Sequence, residues 1–158
     1  MNAAERVAEK VERGTFILTL KAANPDIVSD IVEAGGTAPG IPDLRLTWVD
    51  GEQSFDIPLE FKVANGRRLN VEPSQCAWHT KAWQTLKRAS RGTGSVFVAW
   101  HESTKRYYIW PGVLVLALAK QGLNVPGAAI VRSTGADVET GRKLLQAIAR
   151  CATIHRET

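Results

Sequence analysis

The sequence predicts a mixed α/β (α+β) fold: one domain over residues 1–158, with a mixed β-sheet flanked by helices. Residues 43–49 and 55–63 alternate apolar and polar side chains around Asp50-Gly51, as two half-buried strands joined by a hairpin would. Segments of helical spacing and helix-forming composition stand before, between and after such strands. The chain's 158 residues, 44% of them hydrophobic, supply one ordinary core rather than two. The predicted order is α-β-β-β-α-β-β-α-α, which fits a sheet covered by helices.

The first helix is predicted over Ala3 to Arg13, rich in Ala, Glu, Lys and Arg, with Val7 and Val11 four apart and Gly14 as its end. Glu5, Glu9 and Glu12 lie on it. Thr15 to Lys21 is β-rich and reads as a strand, and Pro25 to Ala34 as a short helix capped by Asn24. Gly35 to Gly40 holds three glycines and a proline and is predicted as a loop. From Asp43 to Val49 the apolar Leu44, Leu46 and Trp48 face one way, and Phe55 to Val63 returns as the partner strand. Pro58 lacks a donor, so a bulge or an unpaired edge is expected beside it. Asn65-Gly66-Arg67-Arg68 is a polar turn with a basic tip. Pro73 and Ser74 start a helix that runs from Gln75 to Ala89, with Trp78, Ala82 and Leu86 as its apolar stripe and Lys81, Lys87, Arg88 and His79 towards solvent. Trp78 and Trp83 read as core residues rather than base-stacking platforms. His79 and His101 lack metal-ligand spacing and read as surface histidines. Ser95 to Trp100 and Arg106 to Trp110 are strands joined through Glu102 to Lys105. Val113 to Lys120 reads as a short buried helix ending at Gly122, and Asp137 to Cys151 as an amphipathic one carrying Leu144, Leu145, Ile148 and Ala152.

The net charge of +4 permits an anionic partner without demanding one. Its distribution is more telling. Residues 24–60 carry a local balance of −7, with Arg45 as the sole base, and residues 61–91 a balance of +6, with Glu72 as the sole acid. One segment suited to cations thus meets one suited to phosphates. Two isolated cysteines, Cys76 and Cys151, make neither a disulfide framework nor a zinc site and are expected as free thiols. Residues 1–13 lack an apolar signal core and 113–119 is too short to span a bilayer, so a soluble cytoplasmic protein with no membrane partner is expected.

The chemistry concentrates between Gly40 and Gln75. Gly40-Ile41-Pro42-Asp43 precedes the first strand of the hairpin, Leu59-Glu60-Phe61-Lys62 sits on the second, and Pro73-Ser74-Gln75 opens the basic helix. Alternation sends Glu60 and Lys62 to one face and Leu59, Phe61 and Val63 to the other. Pairing the strands can bring Asp43 to Glu60.

This constellation resembles the PD-(D/E)XK nuclease superfamily. The downstream glutamine makes it most similar to the VRR-NUC and Holliday-junction-resolvase-like branch, which includes small phage-encoded nucleases; a phage origin would place the protein in the host cytoplasm. The likeness covers Phe16 to Pro111 and leaves an extra C-terminal helical pair within 112–158. It implies a restriction-endonuclease-like fold and a divalent-metal-dependent endodeoxyribonuclease acting on DNA, with branched or junction DNA as a structure-selective substrate. Catalytic roles fall on Asp43, Glu60, Lys62 and Gln75. A Mg²⁺ or Mn²⁺ would be held by Asp43, Glu60 and the Phe61 main-chain carbonyl, with Glu9 or Glu33 as candidates for a further carboxylate. No organic cofactor is implied. Lys62 would orient a water, assist its deprotonation or stabilise the phosphorane. Gln75 would bond Lys62 or a phosphate, and free amides at Ser74 and Gln75 could take a phosphate. Arg67, Arg68, Lys81, Lys87, Arg88 and Arg91 would follow the nucleic-acid backbone. Resolvase-like relatives commonly work as dimers, because resolving a junction takes two matched cuts, so the resemblance also allows a homodimer.

The close carboxylates should raise a carboxyl pKa without a cation and draw stability from one. Two other readings compete. A catalytically inactive nuclease-fold domain would bind nucleic acid or protein; a small basic structural protein with a coincidental motif would keep Asp43 and Glu60 far apart.

Overall fold

A computed structural model describes residues 2–32, 40–86 and 93–153. Helix α1 (Ala3–Ala23) is followed by strands β1 (Val28–Ile31), β2 (Leu44–Asp50) and β3 (Gln53–Val63), helix α2 (Pro73–Leu86), and strands β4 (Val96–His101) and β5 (Arg106–Pro111). Helix α3 (Val115–Gln121) lies between two 3₁₀ turns, and strand β6 (Ala129–Arg132) and helix α4 (Val138–Ala152) follow. Among the described residues, six strands form one mixed sheet in sequence order. Every neighbouring pair is antiparallel except β3 and β4. That parallel pair requires a crossover, which α2 supplies. Among the described residues no helix is long and apolar enough to cross a membrane.

Helices α1 and α4 pack on each other and on one sheet face, where Phe16, Leu20, Leu46, Ile57, Phe61, Val98, Leu144 and Ile148 share a core. A second core joins Phe97, Ala99 and Trp110 to Cys76 of α2 and to Val115 and Leu118 of α3. Strand β4 therefore alternates between two buried faces, and the residues from Val96 to Trp100 are all inside.

Three expectations about elements are corrected. The first helix does not stop at Gly14, and Thr15 to Lys21 is not a strand; both belong to α1. Arg13, Phe16, Ile17 and Leu20 fall on one helical face against the core, which outweighs the β preference of the Thr-Phe-Ile-Leu-Thr run. The threonine hydroxyls are satisfied within the helix, Thr19 Oγ1 donating to the Thr15 carbonyl at 2.7 Å. Residues 28–31 form an edge strand paired with β2 instead of a helix, and Asn24 ends α1 by donating its N–H to the Leu20 carbonyl. In α2 the inward stripe is Cys76, His79 and Trp83, one residue round from the expected one. Trp83 Nε1 reaches the Ser95 carbonyl at 3.2 Å, and a Cβ on Gly94 would overlap its ring.

Pro58 causes no bulge. The β2–β3 register runs unbroken from Leu44↔Leu59 to Asp50↔Gln53, and the missing donor falls just before the β3–β4 ladder begins at Leu59. Strand β6, which the sequence did not signal, separates α3 from α4, so these helices are not an appended pair. Cys76 and Cys151 are both free thiols.

Candidate active site

Strand β3 carries Leu59 and Phe61 into the α1 core and turns Glu60 and Lys62 to the other face, where only 2% and 4% of their surfaces are exposed. Asp43 stands one residue before β2, opposite Glu60 if the register is carried on. Its N–H donates to Glu60 Oε2 at 3.3 Å, and its Oδ1 accepts the Phe61 N–H at 3.2 Å. The two acids are adjacent, which removes the geometry that a coincidental motif required.

The residues around the Pro-Asp have local reasons to be there. Gly40 has φ of +89°, and a Cβ there would overlap the Ser74 carbonyl, so only a glycine lets this segment lie against the start of α2. Carrying the register two residues past β2 sets Pro42 opposite Phe61. A proline has no N–H to offer, so the Phe61 carbonyl receives no ladder hydrogen bond from that position.

Lys62 Nζ lies 3.3 Å from Glu60 Oε1. Gln75 donates from Nε2 to the same oxygen at 2.6 Å and accepts the Glu72 N–H at 3.0 Å, which fixes the orientation of its amide. Of the two expected partners, Lys62 or a phosphate, Lys62 is not the one it meets: its side-chain partner within the protein is Glu60. The amide of Gln75 is engaged as well, donating to the Glu72 carbonyl at 3.0 Å, so it is not a free donor for an anion. Arg13 was not anticipated: from α1 its Nη1 meets Asp43 Oδ2 at 3.0 Å, with the two side chains 11% and 21% exposed. The sequence placed it at a supposed helix end, and only the continuation of α1 reveals its inward face.

Of the candidate extra carboxylates, Glu9 lines the same cleft of about 340 Å³ as Asp43, Glu60 and Lys62. Glu5 caps the start of α1 with Asn2. Glu33 lies outside the described residues, as do Lys87, Arg88 and Arg91. Ser74 is half-buried beside Gly40, and Lys81 is exposed further along α2. Neither they nor Arg67 and Arg68, in the turn after β3, line this cleft.

Burial governs the electrostatics. It pushes Glu60 up to about 8, helped by the charge of Asp43 and opposed by Lys62. Asp43 is raised by burial too, against the pull of the Phe61 N–H and Arg13. Glu9 is raised by burial, with Lys62 opposing. The expected direction is thus found, with desolvation ahead of like-charge repulsion.

His79, expected at the surface, is fully buried behind the cleft. His79 Nδ1 lies 2.6 Å from Ser95 Oγ, which also accepts from Trp83 Nε1 at 3.1 Å, and among the described residues His79 Nε2 is buried without a hydrogen-bond partner. Burial, then Lys62, push this imidazole down to about 4, which keeps it neutral. The signal for it was available: His79 lies four residues from Gln75, on the same side of α2.

Among the described residues no three His, Cys, Asp or Glu side chains are assembled as a ready cage for a metal. Two carboxylates with a neighbouring main-chain carbonyl are instead a sparse set of hard oxygen donors, fitting a cation that keeps waters or phosphate oxygens in its coordination sphere. No protein-family model matches this chain, and neither a curated protein nor a solved structure was found to be similar to it.

Proposed function

We propose that this chain is a Mg²⁺- or Mn²⁺-dependent DNA endonuclease of restriction-endonuclease-like fold, within the PD-(D/E)XK superfamily that its motifs resemble. The observation that carries the reading is the convergence of Asp43, Glu60, Lys62 and Gln75, from three separate segments, on one cleft.

Asp43, Glu60 and the Phe61 carbonyl would hold the cation, which when bound supplies charge neutralisation at the phosphate and a more acidic water. The chain's own residues do the rest. Gln75 clamps Glu60 with its oxygens towards Asp43. Arg13 and the Phe61 N–H hold the two oxygens of Asp43, so neither acid must be reorganised from solvent. Lys62, almost wholly buried, brings a fixed positive charge beside the acids to orient a water or meet the charge developing on phosphorus.

One observation favours a second reading, a domain that binds without cutting. All four carboxylate oxygens of Asp43 and Glu60 already have protein partners. A single experiment separates the two. Supercoiled, single-stranded and four-way-junction DNA are incubated with the protein in Mg²⁺, Mn²⁺ or EDTA, beside Glu60→Gln and Lys62→Ala. Metal-dependent cutting by the wild type alone, with the variants still binding, is the expected result. Intact substrates throughout would sink the nuclease reading.

A further inference from the structure

Two cavities adjoin the cleft in series. The nearer, about 600 Å³, lies between α1 and the turn after β3 and shares Glu9 with the cleft. Ala8, Val63, Ala64 and Leu69 give it apolar walls, Asn65 and Asn70 add amides, and Glu5 and Glu9 line its α1 side. The farther, about 920 Å³, shares Asn65, Arg68 and Leu69 with the nearer one and reaches the end of α3. Arg67, Arg68 and Lys120 line it, and among the described residues no acid does.

This basic end is a built surface. Asn65 and Arg68 exchange backbone hydrogen bonds at 3.0 Å in both directions. The Arg67 carbonyl accepts the Leu123 N–H at 2.9 Å, its Nε donates to Asn124 Oδ1 at 2.6 Å, and its Nη2 donates to the Leu123 carbonyl at 3.2 Å. Gly122, at φ of +56°, lets the chain pass where a Cβ would overlap the Arg67 carbonyl. A guanidinium has five N–H donors, so three remain on Arg67 for a ligand. Arg68 and Lys120 are exposed.

Reading outwards, the order is a phosphate-competent cleft, apolar walls with amides and two glutamates of α1, then cations without acids. A single nucleic-acid strand repeats that alternation of phosphate and base. A duplex does not, because its bases are stacked inside and the outer surface offered to such walls is phosphate and sugar. We propose that the three cavities form a track for one single strand, with an unpaired base between α1 and the turn and the following phosphates on Arg67, Arg68 and Lys120. The track rests on the nuclease reading for its direction, but its binding needs no hydrolysis.

The test is fluorescence anisotropy with a labelled oligothymidylate and a duplex of the same length, in EDTA, over a salt series. Each single-strand phosphate contact contributes about 0.7 to the slope of log K against log salt. Arg68→Gln combined with Lys120→Gln should lower that slope by about 1.4 and weaken single-strand binding several-fold. Lys21→Gln with Arg106→Gln, equal in charge, exposed and outside the cavities, should change the slope by less than half as much. Ala8→Trp, which fills the nearer cavity at an exposed helical position, should weaken the single strand without altering the slope. Circular dichroism confirms that each variant is folded. An unchanged slope in the first pair, an equal fall in the control pair, or an equal loss on the duplex would overturn the track. A protein that never cuts yet shows the slope change keeps the track and loses only the nuclease reading.

Discussion

Glu60 joins a strand, a helix and a loop through two oxygens, and its burial makes a prediction about pH. Its folded-state pKa of about 8 lies above the ordinary 4.5, so its contribution to stability is fully present below pH 4.5 and is lost as pH rises through about 8. Metal-free wild type should therefore lose stability between those values, by an amount on the order of a few kcal/mol. Glu60→Gln, which carries no charge at any pH, should flatten that decline in urea titrations. Mg²⁺ should raise the Tm of the wild type, at a hundredfold excess over Kd by an amount equivalent to about 2.7 kcal/mol, and leave Glu60→Gln nearly unmoved. Arg13 makes a separate case. Arg13→Gln removes the partner of a mostly buried carboxylate and should cost about 1–3 kcal/mol in folding. The same change takes a positive charge away from the cleft, so calorimetric Mg²⁺ affinity should rise while stability falls. Loss of both would show that Arg13 chiefly positions Asp43. The acid-x-lysine on β3 was legible because its spacing is a property of three adjacent residues. Arg13 was not, and Glu9 was legible only as one of two candidates, since which face of α1 meets the cleft depends on a helix that continues ten residues past its apparent stop.

Strands β2 and β3 were legible to within a residue or two at most ends, because alternation and the Asp-Gly turn are local signals that the sheet only reinforces. α1 and β1 were misread for the opposite reason. Thr15 to Lys21 is locally ambiguous, and the choice falls to a packing partner, α4, more than a hundred residues away. Gly40 shows how one backbone position serves the site. Gly40→Ala combines positive φ with overlap on the Ser74 carbonyl, so it should destabilise by about 1–3 kcal/mol and shift Asp43 away from Glu60. The readout is a cleavage rate falling more than the population of folded protein, measured by urea denaturation, can explain. A rate that follows the folded fraction would place Gly40 in stability alone.

The molecule as a whole is two cores divided by one sheet, and its C-terminal part belongs to the larger core. Leu144, Ala147, Ile148 and Ala152 of α4 sit with Phe16 and Leu20 of α1, and a Cβ on Gly141 would overlap the Thr19 carbonyl. Among the described residues, 112–153 are thus integral to the fold rather than an extension of a core at 16–111. A chain truncated before Val138 should lose cooperative unfolding and expose apolar surface, seen by circular dichroism and dye binding; a truncated chain with an unchanged melt would refute this. Sequence alone determined the β2–β3 hairpin, the common face of Glu60 and Lys62, the turn at Asn65 to Arg68 and the α2 start that carries Gln75. Each follows from side-chain periodicity or turn chemistry within a few residues. Tertiary structure decided that Arg13, Glu9 and Gln75 meet those acids, that His79 is sealed behind them and that Glu60 is costly to ionise. Those outcomes depend on desolvation and on contacts between distant segments, which exist only once the sheet and its helices have closed over one another.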